Sequence, residues 1–137
     1  MWWIYALLSA FFAALVAIFA KLGIKDVDTD LATAIRTVVI LILAWGIAFF
    51  RGSLAGISAL HKQNWMFLIL SGCATGLSWI FYFKALQLGK VSQVAPIDKL
   101  SVALAIVLSV IFLGETLTWK SAIGAVLIIG GTFVLIL

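Results

Sequence analysis

An all-α membrane protein built from five transmembrane helices is the fold this sequence predicts, and two observations predict it. Of its 137 residues, 66% are hydrophobic and only 10% are charged, whereas a soluble domain carries about 25% charged residues. The apolar residues also gather into five runs, at about 2–20, 31–50, 65–88, 91–113 and 118–137. Each is close to the roughly 20 residues that cross a bilayer. A soluble fold would have to hide all five in a core too small to hold them. The net charge is +4, but the nine Lys and Arg lie between or just inside the apolar runs. They form no single basic face, so a nucleic-acid partner is not supported. Cys73 is the only cysteine, which leaves neither an intrachain disulfide nor a cysteine-based zinc site.

The first run opens with Trp2, Trp3 and Tyr5, placed as an interfacial aromatic belt. It lacks the basic leader and the cleavage site of a signal peptide, so a retained helix is expected. Ala6, Ala10, Ala14 and Ala17 recur at helical spacing and predict a packed face. The loop KLGIKDVDTD follows. Its aspartates lack the glycine and terminal glutamate of a calcium loop, and Asp30 or Thr29 is expected to cap the second helix. That helix holds Arg36 about five residues in, roughly 7 Å along its axis. Two readings stay open for Arg36: snorkelling to the interface, or a place in a translocation path.

The second loop carries His61, which has no second ligand nearby and reads as a solvated loop histidine, and its Gly and Ser suit a flexible or partly interfacial connection. The third helix contains Gly72 and Gly76, a GxxxG pair that permits an internal contact first and a dimer contact second. Trp79, Tyr82 and Lys84 lie toward its end. Trp79 and Tyr82 can offer a face to an amphipathic substrate, or simply meet lipid. Lys84 can snorkel, or line the same polar half as Asp98 and Lys99.

The fourth run is the one that demands a reason, because Asp98 and Lys99 lie inside it. An ionisable side chain costs about 2.5–3.5 kcal/mol near the centre of a membrane helix, so such groups face a bundle interior, a cavity or each other. Asp98, Ser101, Val102, Ala105 and Ser109 recur three or four apart and make a small, polar stripe that suits a substrate-facing wall. Tight helix packing around a neutralised Asp98 explains the same stripe. Neighbours on a helix point about 100° apart. Asp98 is therefore expected to pair with a cation from another helix instead of Lys99. Pro96 sits either in the first turn of this helix or at a kink beside Asp98. The fifth run carries Gly124 and Gly131, seven apart and hence nearly on one face, as suits close packing against a partner helix.

Five spans put the termini on opposite sides of the membrane. The face holding the first loop, the third loop and the C-terminus collects Lys21, Lys25, Arg36, Lys84, Lys90 and Lys99, against Arg51, Lys62 and Lys120 opposite. Counted whole, the bias favours a cytoplasmic C-terminus; without Arg36, Lys84 and Lys99 it vanishes, and a chain without bias can insert both ways. Arg36, Lys84, Asp98 and Lys99 all fall in the membrane half nearest that first face. Access from both sides needs a second, inverted unit. No internal repeat supplies it, so an antiparallel homodimer is expected.

The stretch FYFKALQLGKVSQVAPIDKLSVALAIVLSVIFLGETLTWKSAIGAVLIIGG, residues 81–131, has an A-L-x-x-G turn, a following Pro and a closing F-L-G-E before the last helix. With DLATAIRTVVI in the second helix, it resembles the single-repeat, five-helix members of the EamA-type drug/metabolite transporter superfamily. The resemblance implies a carrier that exports or exchanges small metabolites, with helices one to four lining the path and the fifth packing outside. In longer relatives two such units are fused as inverted repeats; here a second copy or a related five-helix chain would take that place. The glycines of the last helix resemble, more distantly, the dimer-forming helix of small multidrug exporters.

The function expected is secondary transport of a small metabolite across the cell membrane by alternating access, driven by protons or exchange. No nucleotide-binding signature is present, and no cofactor or metal is implied. Asp98 is the candidate coupling residue, and Lys99, Arg36, Lys84, Ser101, Trp79 and Tyr82 are candidate substrate or coupling residues. Their excess of cations favours an anionic or zwitterionic metabolite. A non-transporting membrane subunit and a flippase for lipid-linked substrates are the alternatives. An intramembrane enzyme is not expected, because no Ser/His, paired Asp or metal-ligand cluster is evident.

Overall fold

Apolar run length sets the architecture, and the computed structural model, which describes residues 1–137, turns every run into helix. The elements are α1 (Trp2–Gly23), α2 (Thr29–Phe50), a 3-10 helix (Ser53–Ala59), α3 (Lys62–Leu88), α4 (Val91–Asp98), α5 (Leu100–Leu113) and α6 (Trp119–Ile136). Five helical segments are long and apolar enough to cross a membrane, with α4 and α5 together forming the fourth, Val91–Leu113. Large apolar side chains such as Phe11, Ile42, Phe67 and Leu104 are exposed along them. Lipid tails solvate such surfaces as well as a protein core does. The chain divides into two compact units, Ala20–Gln87 and Met1–Phe19 with Leu88–Leu137.

In the Ala20–Gln87 unit the buried apolar residues are Ile24, Phe83 and Leu86. The buried Thr29 and Thr33 lie on α2, where the hydroxyls of Thr33 and Thr37 donate to the carbonyls of Thr29 and Thr33 at 2.8 and 2.7 Å. Back-bonding of this kind satisfies a hydroxyl where no water reaches it. The cap of α2 is Asp28, one or two residues before the expected Thr29 or Asp30. Its carboxylate accepts from the amides of Asp30 and Leu31 at 3.0 and 3.1 Å. Thr29 and Asp30 are thereby drawn into the first turn, and the helix starts earlier than the apolar run does. Asp28→Ala is expected to cost about 1 kcal/mol, the usual worth of an N-cap, while Asp30→Ala costs a few tenths at most. Thermal unfolding in detergent checks the order, and a larger loss at Asp30 would return the cap to it.

Loop two is more ordered than a flexible linker. Gly52 takes a left-handed φ of 69°, which a side chain would resist. The chain then turns back so that Ser53, Leu54 and Ile57 face Ala44, Trp45 and Ala48 of α2.

In the other unit, Ala17, Val94, Ala103 and Thr132 are buried, and α6 packs on both α4 and α5. Pro96 lies inside α4, past its first turn. Its missing amide frees the carbonyl of Ser92, four residues back. The helix then tightens: the Lys99 amide is shared between the carbonyls of Ala95 (3.3 Å) and Pro96 (3.1 Å), and Val102 bonds back to Lys99 at 3.0 Å. Lys99 becomes a one-residue break between α4 and α5. From α6, the buried Thr132 hydroxyl reaches the Pro96 carbonyl at 3.1 Å while also lying 2.8 Å from the carbonyl of Ile128. Thr132→Val keeps the shape and removes the tie, and should cost about 0.5–1.5 kcal/mol in thermal unfolding. No loss would mean that Pro96 alone holds the break. Gly114 ends α5 at φ 66°, a left-handed cap that glycine takes without strain.

The two glycine pairs stand differently against expectation. At Gly72 and Gly76 an added Cβ would meet no atom of their unit within 4 Å, so the internal contact expected for this GxxxG pair is not formed. Gly124 and Gly131 are equally open within theirs. Their faces remain available to something outside the unit.

Candidate functional site

The candidate residues fall into two groups, one in each unit. In the Ala20–Gln87 unit, Arg36 is seven residues past the start of α2, which puts its Cα about 10 Å along the axis, further from the helix start than the apolar run implied. The helix begins at Thr29 because Asp28 caps it. The guanidinium lies over Trp79 of α3, 4.3 Å from the ring centroid, and 5.0 Å from that of Phe83. Trp79, Tyr82 and Phe83 share one helix face by their spacing of three and four, and the rings of Tyr82 and Phe83 are 6.3 Å apart at 45°. An arginine that snorkels puts its head into water. Here the head is held on an aromatic shelf, and its buried Nη1 has no hydrogen-bond partner. Lys84 is exposed on α3 and takes no part in the shelf.

One helical turn beyond Phe83, Gln87 braces the end of the unit. Its side-chain amide donates to the carbonyl of Ile24, at 2.9 Å, and to that of Val27. Lys21 donates to the carbonyl of Leu86. Between these ties Asp26 adopts a left-handed φ of 59°, a conformation aspartate tolerates better than most residues. The result is a cavity of about 500 Å³ lined by Lys21, Ile24, Lys25, Asp26, Val27 and Gln87.

In the other unit, Asp98 and Lys99 form an ion pair of 3.4 Å. The expectation that Asp98 would look to another helix for its cation rested on a continuous helix. Lys99 keeps right-handed helical dihedrals, φ −71° and ψ −9°, and its long side chain reaches back to Asp98 all the same. Both side chains stay accessible, Lys99 57% and Asp98 37%. The pair is about 10 Å along the Val91–Leu113 span, since Asp98 is its eighth residue. Ser101 is exposed, three residues on from Asp98. No cluster of three His, Cys, Asp or Glu side chains stands close enough to hold a metal ion.

Five helices long and apolar enough to span a membrane, with an ion pair inside the fourth, are the features to set beside known proteins. The sequence of residues 1–137 matches the EamA-like transporter family along its whole length. The chain belongs to the EamA-like transporter family. It is similar to a protein of Sinorhizobium sp named "Uncharacterized transporter in cobO 3'region", 46% identical over 134 residues, which cover 98% of this chain and 95% of the relative. An uncharacterized protein of Methanocaldococcus jannaschii is 38% identical over 69 residues, half of each chain. No solved structure matches the chain. This EamA-like protein is thus a multi-pass membrane protein of a transporter family, and not of an enzyme family.

Sequence reasoning named Arg36, Trp79 and Tyr82 one by one but missed Phe83 and Gln87. The spacing of Trp79 and Phe83, one helical turn apart, was the available signal for an aromatic shelf. The cation that lies on it comes from another helix, which spacing within α3 cannot reveal. The Gln87 brace left no pattern at all, because its acceptors are backbone carbonyls.

Proposed function

We propose that this chain is a secondary transporter that moves a small metabolite by alternating access, coupled to protons or to exchange, and that two antiparallel copies complete the carrier. The observation that carries this reading is the break at Lys99, with Asp98 and Lys99 paired beside it inside a membrane span. Discontinuous helices of this kind build the substrate and ion sites of secondary transporters, because half-helix ends and freed carbonyls serve as ligands. An ion pair left this accessible is unfavourable against hydrocarbon, so a cavity or a second chain must cover it. Asp98 is the coupling residue in this reading, Lys99 its resting partner, and Ser101 part of the same polar wall. Lys84, exposed on α3, is a further candidate cation for the substrate. A related five-helix chain can replace the second copy.

The experiment is flux into proteoliposomes holding the purified chain, with a panel of labelled small metabolites and an imposed proton gradient. Gradient-driven accumulation or counterflow of at least one compound is expected. Correctly inserted protein that moves none of them, yet isolates as a stoichiometric part of a larger assembly, would favour a membrane subunit instead.

A further inference from the structure

Arg36 carries a charge that its own unit does not neutralise. No carboxylate of the Ala20–Gln87 unit pairs with it, and Nη1 is buried with no acceptor. The rings of Trp79 and Phe83, with centroids 4.3 and 5.0 Å from the guanidinium carbon, steady the cation by their π faces. A ring face offers no acceptor for the paired N–H···O bonds that a carboxylate or phosphate makes with the guanidinium fork. A buried donor of this kind is costly until an acceptor arrives. The shelf therefore holds the arginine ready for an anion that the unit itself lacks.

A cavity lies in the same unit, its wall including Gln87, which follows Phe83 by one helical turn on α3. The cavity at Gln87 has a volume of about 500 Å³, within the range of about 300–1,000 Å³ that small-ligand pockets occupy. Its wall carries Lys21 and Lys25 against the single carboxylate of Asp26. A mouth of net positive charge concentrates anions. We infer that Arg36 binds an oxyanion, the carboxylate or phosphate of the transported compound, and that the cavity lined by Lys25 and Gln87 is the vestibule through which it arrives. This rests on the transport reading and assigns the substrate class within it.

The test is equilibrium binding to the full chain in uncharged detergent. Benzoate is the probe, inorganic phosphate the second anion, and benzylamine the cation of matching shape. Benzoate binds saturably, phosphate competes, and benzylamine does not bind. Arg36→Lys weakens benzoate by about tenfold or more, because an ammonium lacks the paired donors of the fork. Arg36→Gln abolishes binding, and Lys25→Gln slows association and flattens its salt dependence while the Arg36 contact persists. Displacement of benzoate by phosphatidylglycerol but not phosphatidylcholine assigns the oxyanion to a lipid headgroup; no displacement assigns it to a soluble anion. Benzoate binding untouched by Arg36→Gln, failure of both anions to bind, or preference for benzylamine overturns the inference. If Arg36→Gln does not fold, Arg36→Lys carries the test, since it keeps the charge. Binding without any flux in proteoliposomes would sink the transport reading and leave the oxyanion site; flux indifferent to Arg36 would do the reverse.

Discussion

Asp98→Asn is expected to insert and assemble like the native chain and to lose gradient-driven accumulation down to the level of empty vesicles. Asn has nearly the shape of Asp and cannot carry a proton on and off. A carboxylate that gains and loses a cationic neighbour between two states changes its hold on the proton, and the 3.4 Å contact with Lys99 is the neighbour it has in this one. The substitution also leaves Lys99 without its counter-charge in a membrane span, so insertion must be checked separately. Asp98→Asn with Lys99→Gln restores neutrality and provides the control. Both variants should be assembled and uncoupled. If the single variant accumulates substrate as the native chain does, Asp98 is a structural partner of Lys99 and coupling lies elsewhere.

Gly131→Leu, alone or with Gly124→Leu, is expected to lower the associated fraction by about tenfold, the equivalent of roughly 1.4 kcal/mol. The two glycines are open within their own unit, with no atom inside 4 Å of an added Cβ. Leucine there leaves the protomer's packing intact and acts on whatever covers the face from outside. Close approach of helices in lipid depends on small residues. Cross-linking or energy transfer between labelled copies in native membranes reads the effect. Unchanged association would mean that this face of α6 meets lipid. Gly72→Leu, open in the other unit, tests whether α3 takes part in the same contact.

Much of the fold was legible because hydropathy and length act on each helix separately. Five apolar runs of about 20 residues leave few alternatives to five spans. Helix ends were less legible, since a cap depends on which of several aspartates turns its carboxylate back. Asp28 does so, where Thr29 and Asp30 also carry suitable side chains. The fourth span shows the sharper limit. Pro96 fits the first turn or a kink equally well in the sequence, and the 100° between neighbours on a helix does not show that a long lysine side chain can still reach back to the carboxylate before it. The site divides in the same way. Residue types identified Asp98, Lys99 and Arg36, because charges in membrane spans are conspicuous. What each touches depends on the register between helices, so the shelf of Trp79 and Phe83 under Arg36 had to come from the structure.

The claim at the centre of this account is that one five-span unit becomes a carrier by pairing with an inverted copy of itself. The most direct measurement is the location of the C-terminus, fused in parallel to one reporter active only in the cytoplasm and to another active only outside it. Dual insertion predicts activity from both. Activity from the cytoplasmic reporter alone would mean that the cations at Arg36, Lys84 and Lys99 fix a single orientation, and an inverted homodimer would then be excluded.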